Sequence, residues 1–118
     1  MIGKRSVRVG DLITHEVSLI VEKELRDPRL GFITVTGTEV TPDLRHAKIY
    51  VSILGDENRV KENFKVLKKA ECYVRHLIGE RIRLKFVPEV TFCLDPSLRE
   101  GAKIDRLLKE IQEEGYSS

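Results

Sequence analysis

Two neighbouring stretches rich in β-branched residues constrain the fold of this chain more than any other feature. They are FITVTGTEVT at 32–41 and HAKIYVSIL at 46–54. In the second stretch small and apolar residues alternate with polar ones, which is typical of a strand with one buried face. Thr41-Pro42-Asp43 separates the stretches and has the composition of a turn. The sequence therefore predicts an antiparallel hairpin, and Gly37 predicts a bulge or a bend in its first strand.

Apolar residues with helical spacing lie on both sides of this hairpin. A third strand is predicted for EVTFCLD at 89–95, where Val90, Phe92 and Leu94 alternate with other residues. Helices are predicted for residues 7–27, for a long segment that follows Gly55-Asp56-Glu57-Asn58 and extends to about Gly79, and for an amphipathic segment after Asp95-Pro96-Ser97.

This order of elements predicts an α+β fold with two layers. The second strand, the helical crossover and the third strand should form a parallel pair with a right-handed connection. A three-stranded sheet with one apolar face needs helices packed on that face, and a further helix is expected at the C-terminus. A chain of 118 residues is expected to form one domain, 1–118.

Composition excludes several classes of protein. No run of about 18 apolar residues is present, so no membrane span is predicted. The N-terminal MIGKRSVRVGD has no apolar core of a signal peptide. We therefore expect a cytoplasmic protein in which Cys72 and Cys93 are reduced, although a disulfide between them is formally possible.

Basic residues concentrate in the middle of the chain. Residues 61–85 carry eight basic and three acidic side chains, a net charge of +5. On a helical wheel six cationic or titratable residues share one edge, and the centre of this edge is more than about 100° from the centre of the apolar stripe. Three more basic residues extend the charge beyond Gly79. These nine are Lys61, Lys65, Lys68, Lys69, Arg75, His76, Arg81, Arg83 and Lys85. Charge alone is compatible with a surface that binds a polyanion and with a solvated helix face.

Cys72 falls inside this cationic edge, at about 20° on the wheel, and so outside the core of a straight helix. As a nucleophile it has only His76 nearby as a base and no third group to orient the pair. As metal ligands, Cys72 and His76 supply two of the four that structural zinc needs, and no CxxC, HxxxH or HExxH spacing occurs. The remaining interpretation is steric, because a small side chain lets another surface approach the helix closely. We predict no metal, no cofactor and no catalytic activity.

Four segments together resemble one known family. They are ELRDPRLGFITVT at 24–36, PDLRHAKIYVSILGDE at 42–57, RLKFVPEVTF at 83–92 and DPSLREGAKIDRLL at 95–108. In content and order they are similar to the ribosome-binding factor A (RbfA) family of bacterial small-subunit maturation factors. The resemblance implies a type II KH-like fold with the order α-β-β-α-α-β. It also implies that the protein binds the 30S ribosomal subunit and 16S rRNA during late assembly and that it is important in the cold. The family resemblance implies no catalytic activity, and we expect the protein to be monomeric.

The family has a helix kink at an Ala-x-Gly motif, in place of the GxxG loop with which KH domains usually hold nucleic acid. Here the motif is Ala70-Glu71-Cys72, so the alanine is kept and the glycine is replaced by cysteine. Cysteine is small but lacks the backbone freedom of glycine. The bend could persist through packing or shift toward Gly79.

Two hypotheses for function follow. In the first, the nine cationic and titratable residues between 61 and 85 contact RNA phosphates, and base stacking is secondary because few exposed aromatic residues are predicted. In the second, the protein is an adaptor whose basic edge binds an acidic protein. Arg26, Arg29 and Arg45 lie in matched loops, where they could contact RNA or only stabilise the loops.

Overall fold

The computed structural model describes residues 4–25 and 32–96. The elements follow in the order α1 (Lys4–Lys23), β1 (Ile33–Val40), β2 (His46–Ile53), α2 (Glu57–Lys69), α3 (Glu71–Arg81) and β3 (Glu89–Leu94). The predicted C-terminal helix lies outside the described residues, and so do Arg26 and Arg29. Helix α1 begins earlier than the predicted start at residue 7 and ends before residue 27.

The sheet has the strand order β1-β2-β3. Strands β1 and β2 are antiparallel, and β2 and β3 are parallel, which confirms the predicted hairpin and the predicted crossover. The register shifts between Val35 and Gly37, so Thr36 is an extra residue in β1. This irregularity confirms the bulge that Gly37 predicts.

One face of the sheet carries the core. The alternate residues Ala47, Ile49, Val51 and Ile53 of β2 are buried, whereas His46 and Lys48 on the other face are exposed. The helices supply the opposite side of this core. Its helical members are Val9, Ile13, Val17 and Ile20 of α1, Val60, Phe64 and Leu67 of α2, and Val74, Leu77 and Ile78 of α3. This arrangement confirms the two-layer α+β sandwich with the type II KH-like order.

The turn from β2 into α2 depends on glycine chemistry. Gly55 has a φ angle of 142°, a backbone conformation that residues with a side chain rarely adopt. Asp56 follows as the N-cap of α2, where its Oδ1 accepts a hydrogen bond of 2.8 Å from the Arg59 N–H. The strand therefore ends at Ile53 and the helix begins at Glu57, with three residues between them.

The long helical segment predicted after Gly55-Asp56-Glu57-Asn58 consists of two helices, in agreement with the order α-β-β-α-α-β that the family resemblance implies. Helix α2 ends at Lys69 and α3 begins at Glu71. Ala70 lies between them, and its N–H donates to carbonyl oxygens of α2 while its own oxygen accepts from the Val74 N–H at 2.8 Å. The bend therefore stands at the family position, not at Gly79, although Cys72 replaces the family glycine.

A buried carboxylate holds this bend against the sheet. Glu71 is 7% exposed, and its Oε2 accepts a hydrogen bond of 2.7 Å from the Phe92 N–H of β3. The same oxygen lies 3.2 Å from Lys68 Nζ at the end of α2. One side chain thus connects α2, α3 and β3, and packing of this kind keeps the bend without glycine.

In the described ranges 4–25 and 32–96, none of the helices combines the length and the apolar character that crossing a membrane requires.

Candidate nucleic-acid interface

An open groove of about 900 Å³ lies between α3 and the segment 82–88 that leads into β3. Helix α3 contributes Cys72, Arg75 and His76 to its lining, and the segment contributes Lys85 and Phe86. Arg45, from the turn between β1 and β2, completes the set. We call this feature the basic groove, after the cations Arg45, Arg75 and Lys85. All six of these side chains are exposed.

Gly79 allows the segment 82–88 to approach α3 closely. A Cβ atom on Gly79 would lie 3.0 Å from Val87 Cγ2, closer than side chains normally approach. Arg75 Nη2 also donates a hydrogen bond of 3.0 Å to the Val87 carbonyl oxygen. Ile82 and Pro88 are buried at the two ends of the segment. These contacts fix one wall of the basic groove to the core.

Arg45 is positioned by the hairpin turn. Asp43 Oδ1 accepts hydrogen bonds from Thr41 Oγ1 at 2.6 Å and from the Arg45 N–H at 3.0 Å. The hydrogen bond from Thr41, followed by that from Arg45, lowers the pKa of Asp43 from its ordinary value. The Arg45 carbonyl oxygen accepts from the Glu89 N–H at 2.8 Å. This network places Arg45 Cζ 5.0 Å from the centroid of the Phe86 ring.

Two carboxylates also line the basic groove. Glu80 Oε1 lies 2.7 Å from His76 Nε2, and Glu89 Oε2 lies 3.5 Å from His46 Nδ1. All four side chains are exposed, so these pairs contribute little to stability. The two carboxylates instead lower the net positive charge of the groove, because they place negative groups among its cations.

Arg81, Arg83 and Lys85 line a second hollow that adjoins the basic groove at Gly79 and Glu80. Arg83 is exposed. Arg81 Nη2 lies 3.0 Å from Glu24 Oε1, so this side chain also connects the end of α3 to the end of α1.

The four predicted lysines of α2 do not line the basic groove. Lys61 and Lys65 are half-buried on α2, and Lys69 is exposed at its end. The wheel places Lys68 on the cationic edge, and its side chain is 14% exposed because it is paired with the buried Glu71. The two residues are three positions apart, a spacing that brings side chains together on a helix. The structure thus brings together Arg75, His76 and Lys85, leaves Arg81 and Arg83 in the adjoining hollow, and keeps the lysines of α2 apart.

Sequence reasoning missed Phe86 and left Arg45 undecided. Phe86 is 54% exposed on the wall of the basic groove, although few exposed aromatic residues are predicted. No local signal identifies Phe86, because it alternates with Leu84, Pro88 and Val90 as in a strand with one buried face. The position of Arg45 in the groove follows only from the tertiary fold, because no local sequence pattern shows that the hairpin turn contacts the start of β3.

The three residues of the Ala70-Glu71-Cys72 motif lie in two different environments. Ala70 and Glu71 form the bend, and Cys72 is exposed on the wall of the basic groove. Cys93 is a second free thiol, and burial raises its pKa. In the part of the chain that the structure describes, no three His, Cys, Asp or Glu side chains are grouped to hold a metal ion.

Comparison with known proteins agrees with this fold. The family profile described as "Ribosome-binding factor A" matches residues 5–108. The protein of that name from Halothermothrix orenii is 50% identical over 114 residues, which cover 97% of this chain and 93% of the relative. The solution structure of a Thermotoga maritima protein described as a putative ribosome binding factor A is 33% identical, with a TM-score of 0.66 over 75% of this chain and 85% of that one.

A further similarity is to coordinates of Thermus thermophilus ribosome binding factor A, a homology model fitted into a cryo-EM map of a 30S complex of that protein. They are 19% identical to this chain, with a TM-score of 0.66 over 79% of this chain and 98% of the other, and at this identity the likeness supports the fold alone. The match of the family profile to residues 5–108, together with half-identity to a relative over nearly the whole sequence, shows that the chain belongs to the ribosome-binding factor A family.

Proposed function

We propose that this protein is a non-catalytic ribosome biogenesis factor that binds the 30S ribosomal subunit. In this proposal the basic groove contacts 16S rRNA, and binding assists the late maturation of that RNA, with particular importance in the cold. The protein acts as a monomer in the cytoplasm, and residues 1–118 form a single KH-like ribosome-binding domain. The name that its relatives share, ribosome-binding factor A, supports binding to the ribosome.

The observation that carries the proposal is the meeting of Arg45, Arg75 and Lys85 at one open groove. These residues come from three separate parts of the chain, so the fold is needed to bring them together. Arg75 already donates one hydrogen bond to the Val87 carbonyl oxygen, yet its guanidinium carries five N–H donors and the side chain is exposed. Guanidinium and ammonium groups held in this way bind phosphates.

Contacts of this kind position a protein on RNA without reading its sequence. Selectivity for a ribosome precursor would then come from the shape of the folded RNA. The other predicted contacts, among them His76, Arg81, Arg83 and the exposed Lys69, remain part of the proposal. Lys68 would have to leave the carboxylate of Glu71 before it could contact a phosphate.

Co-sedimentation with purified 30S subunits tests the proposal. We expect Arg75→Glu and Lys85→Glu each to weaken binding by about 10-fold or more, since each replaces a phosphate contact with a repulsive charge. Arg8→Glu is the matched control, because Arg8 is exposed on α1 and does not line the groove. If all three variants bind as tightly as the unaltered protein, the basic groove is not the interface.

The salt dependence provides a second measurement. If about five phosphates are neutralised, the logarithm of the binding constant should fall with the logarithm of salt concentration at a slope of about −3.5 to −4.5. A slope near zero would exclude a phosphate-based interface. For the maturation step, we expect unprocessed precursor of 16S rRNA to accumulate at low temperature in cells that lack the protein.

Nuclease treatment separates RNA binding from the adaptor hypothesis. We expect digestion of RNA in a lysate to release the protein from the 30S fraction. Retention on one ribosomal protein after complete digestion would instead support an adaptor whose basic groove meets an acidic partner.

A further inference from the structure

The basic groove contains an exposed aromatic side chain, Phe86, that is not part of the hydrophobic core. Phe86 is 54% exposed, although Leu84 and Val87 on the same segment pack against the core. On its C-terminal side Val87 is half-buried and Pro88 is buried, and the hydrogen bond from Arg75 to the Val87 oxygen also restrains the backbone there. The fold thus presents a large apolar ring to solvent from a well-anchored segment.

Two cationic side chains lie close to the Phe86 ring. Arg45 Cζ lies 5.0 Å from the ring centroid, and Lys85 Nζ lies 5.7 Å from it. Both distances are within the range at which a cation is attracted to the face of an aromatic ring. The ring and the planar guanidinium of Arg45 therefore form a pair of flat side chains at the wall of the groove.

The other groups in the groove fit a nucleotide better than they fit the backbone of a duplex. A duplex presents phosphates and ribose 2′-hydroxyl groups along its backbone but keeps its bases paired, so the Phe86 ring and the Arg45 guanidinium would meet no exposed base. An unpaired nucleotide presents both an anionic phosphate and a base with hydrogen-bond donors on its edge, which carboxylates accept. The volume of about 900 Å³ is within the range of about 300–1,000 Å³ that is usual for sites of small ligands.

We propose that the basic groove binds an unpaired nucleotide of RNA whose base stacks on the Phe86–Arg45 pair. The flanking phosphates contact Lys85 and Arg75. Unpaired bases in RNA commonly stack on aromatic rings and on arginine planes, so both members of the pair suit this ligand. The inference rests on the proposed function and specifies it, because it names single-stranded RNA as the segment that enters the groove. It also assigns a role to Phe86, which lies outside the Ala70-Glu71-Cys72 motif.

The first test uses the absence of tryptophan from the sequence. In the Phe86→Trp variant the new indole is the only one in the protein, so its fluorescence reports on the groove alone. We expect titration with a single-stranded RNA decamer of adenines to quench this fluorescence, because a base stacks on the indole. The matched control is Phe32→Trp, since Phe32 is exposed at the start of the sheet and does not line the groove. Equal quenching in both variants would overturn the inference.

The second test compares affinities. We expect Phe86→Leu to bind the same decamer roughly 5- to 150-fold more weakly than the unaltered protein does, the range that corresponds to the loss of one stacked base. The salt dependence should stay unchanged, because no charge is removed. Binding to a blunt-ended, fully paired RNA duplex should change by less than 2-fold. Thermal unfolding of Phe86→Leu confirms folding, and the exposure of Phe86 makes a large loss of stability unexpected.

The outcomes also separate this inference from the proposed function. If Phe86→Leu binds the decamer normally while Arg75→Glu and Lys85→Glu lose affinity for 30S subunits, base stacking is wrong and the ribosome-binding function stands. If the charge-reversed variants bind 30S subunits normally while Phe86→Leu loses the decamer, the groove takes single-stranded RNA and the proposed site on the ribosome is wrong.

Discussion

The carboxylate of Glu71, in the first turn of α3, accepts a hydrogen bond of 2.7 Å from the backbone N–H of Phe92 in β3. Ala70, the residue before α3, provides no side-chain cap. A carboxylate in the first turn of a helix is favoured by the helix dipole, and Lys68 Nζ at 3.2 Å adds a positive partner. These interactions fix the direction of α3 without the glycine that the family motif has at position 72.

Glu71→Ala should destabilise the protein strongly. We expect a loss of about 3 kcal/mol in the free energy of unfolding, because Lys68 and the Phe92 N–H would lose a buried partner. Glu71→Gln should lose less, since the amide oxygen still accepts from Phe92. Urea denaturation measures both variants, with Glu62→Ala on the exposed side of α2 as control, where a change within about 0.5 kcal/mol is expected. A Glu71→Ala variant as stable as that control would show that the carboxylate does not hold the bend.

Gly79→Ala should fail to stabilise α3 although alanine is the better helix former. In an open helix position the exchange gains about 1 kcal/mol. Here the new Cβ would lie 3.0 Å from Val87 Cγ2, so the half-buried Val87 side chain must move by a few tenths of an ångström. In a Val87→Ala background the obstacle is gone, and the same exchange should raise the free energy of unfolding by about 1 kcal/mol. Equal effects of Gly79→Ala in the two backgrounds would argue against close contact between residues 79 and 87.

The two thiols should differ in reactivity. Cys72 is exposed, whereas Cys93 is half-buried and burial raises its pKa, an effect that Lys68 and Lys48 only partly oppose. A raised pKa means less thiolate at a given pH, so alkylation is slower. With iodoacetamide at pH 8, Cys93→Ser, which retains Cys72, should react at least about 10-fold faster than Cys72→Ser. In urea the two rates should converge, and equal rates in the folded protein would contradict the described burial.

The carboxyl group of Asp43 should titrate below its ordinary value of 3.8, chiefly because of the hydrogen bond from Thr41. A lowered pKa in the folded state means that the contribution to stability is complete above the ordinary value and is lost as the pH falls through the folded pKa. NMR titration of the carboxyl carbon measures this directly. Thr41→Val should raise the pKa toward 3.8, and Thr41→Ser, which keeps the hydroxyl, should leave it low. A pKa of 3.8 or higher in the unaltered protein would show that the turn does not hold the carboxylate.

The sheet was predictable from sequence because its signals are local. Alternation in β2 identifies the buried face, and Gly37 marks the position where the register shifts. The parallel pairing of β2 and β3 follows from the helical crossover between them. The break at Ala70 was not predictable in the same way, because it depends on a contact between Glu71 and a strand 21 residues later.

The candidate site was predictable only in part. Arg75, His76 and Lys85 share a groove, as the charge pattern indicates, whereas Lys68 is paired with Glu71, a contact that the charge pattern does not show. On the same wheel Glu71 falls at about −80°, near the apolar stripe, and a carboxylate in that position is a signal of a buried partner. Arg45 reaches the groove only through the pairing of distant strands, which no local pattern contains.

The hydrogen bond to Glu71 also bears on how the molecule meets other copies of itself. Strand β3 is one of the two outer strands in the order β1-β2-β3, and the N–H groups of Glu89 and Asp95 point toward β2. The N–H of Phe92 therefore points away from the sheet, where an unpaired donor invites edge-to-edge addition of a strand from a second molecule. Glu71 occupies this donor and places a charge beside it. The residue that fixes the bend thus also discourages the protein from aggregating through its sheet edge.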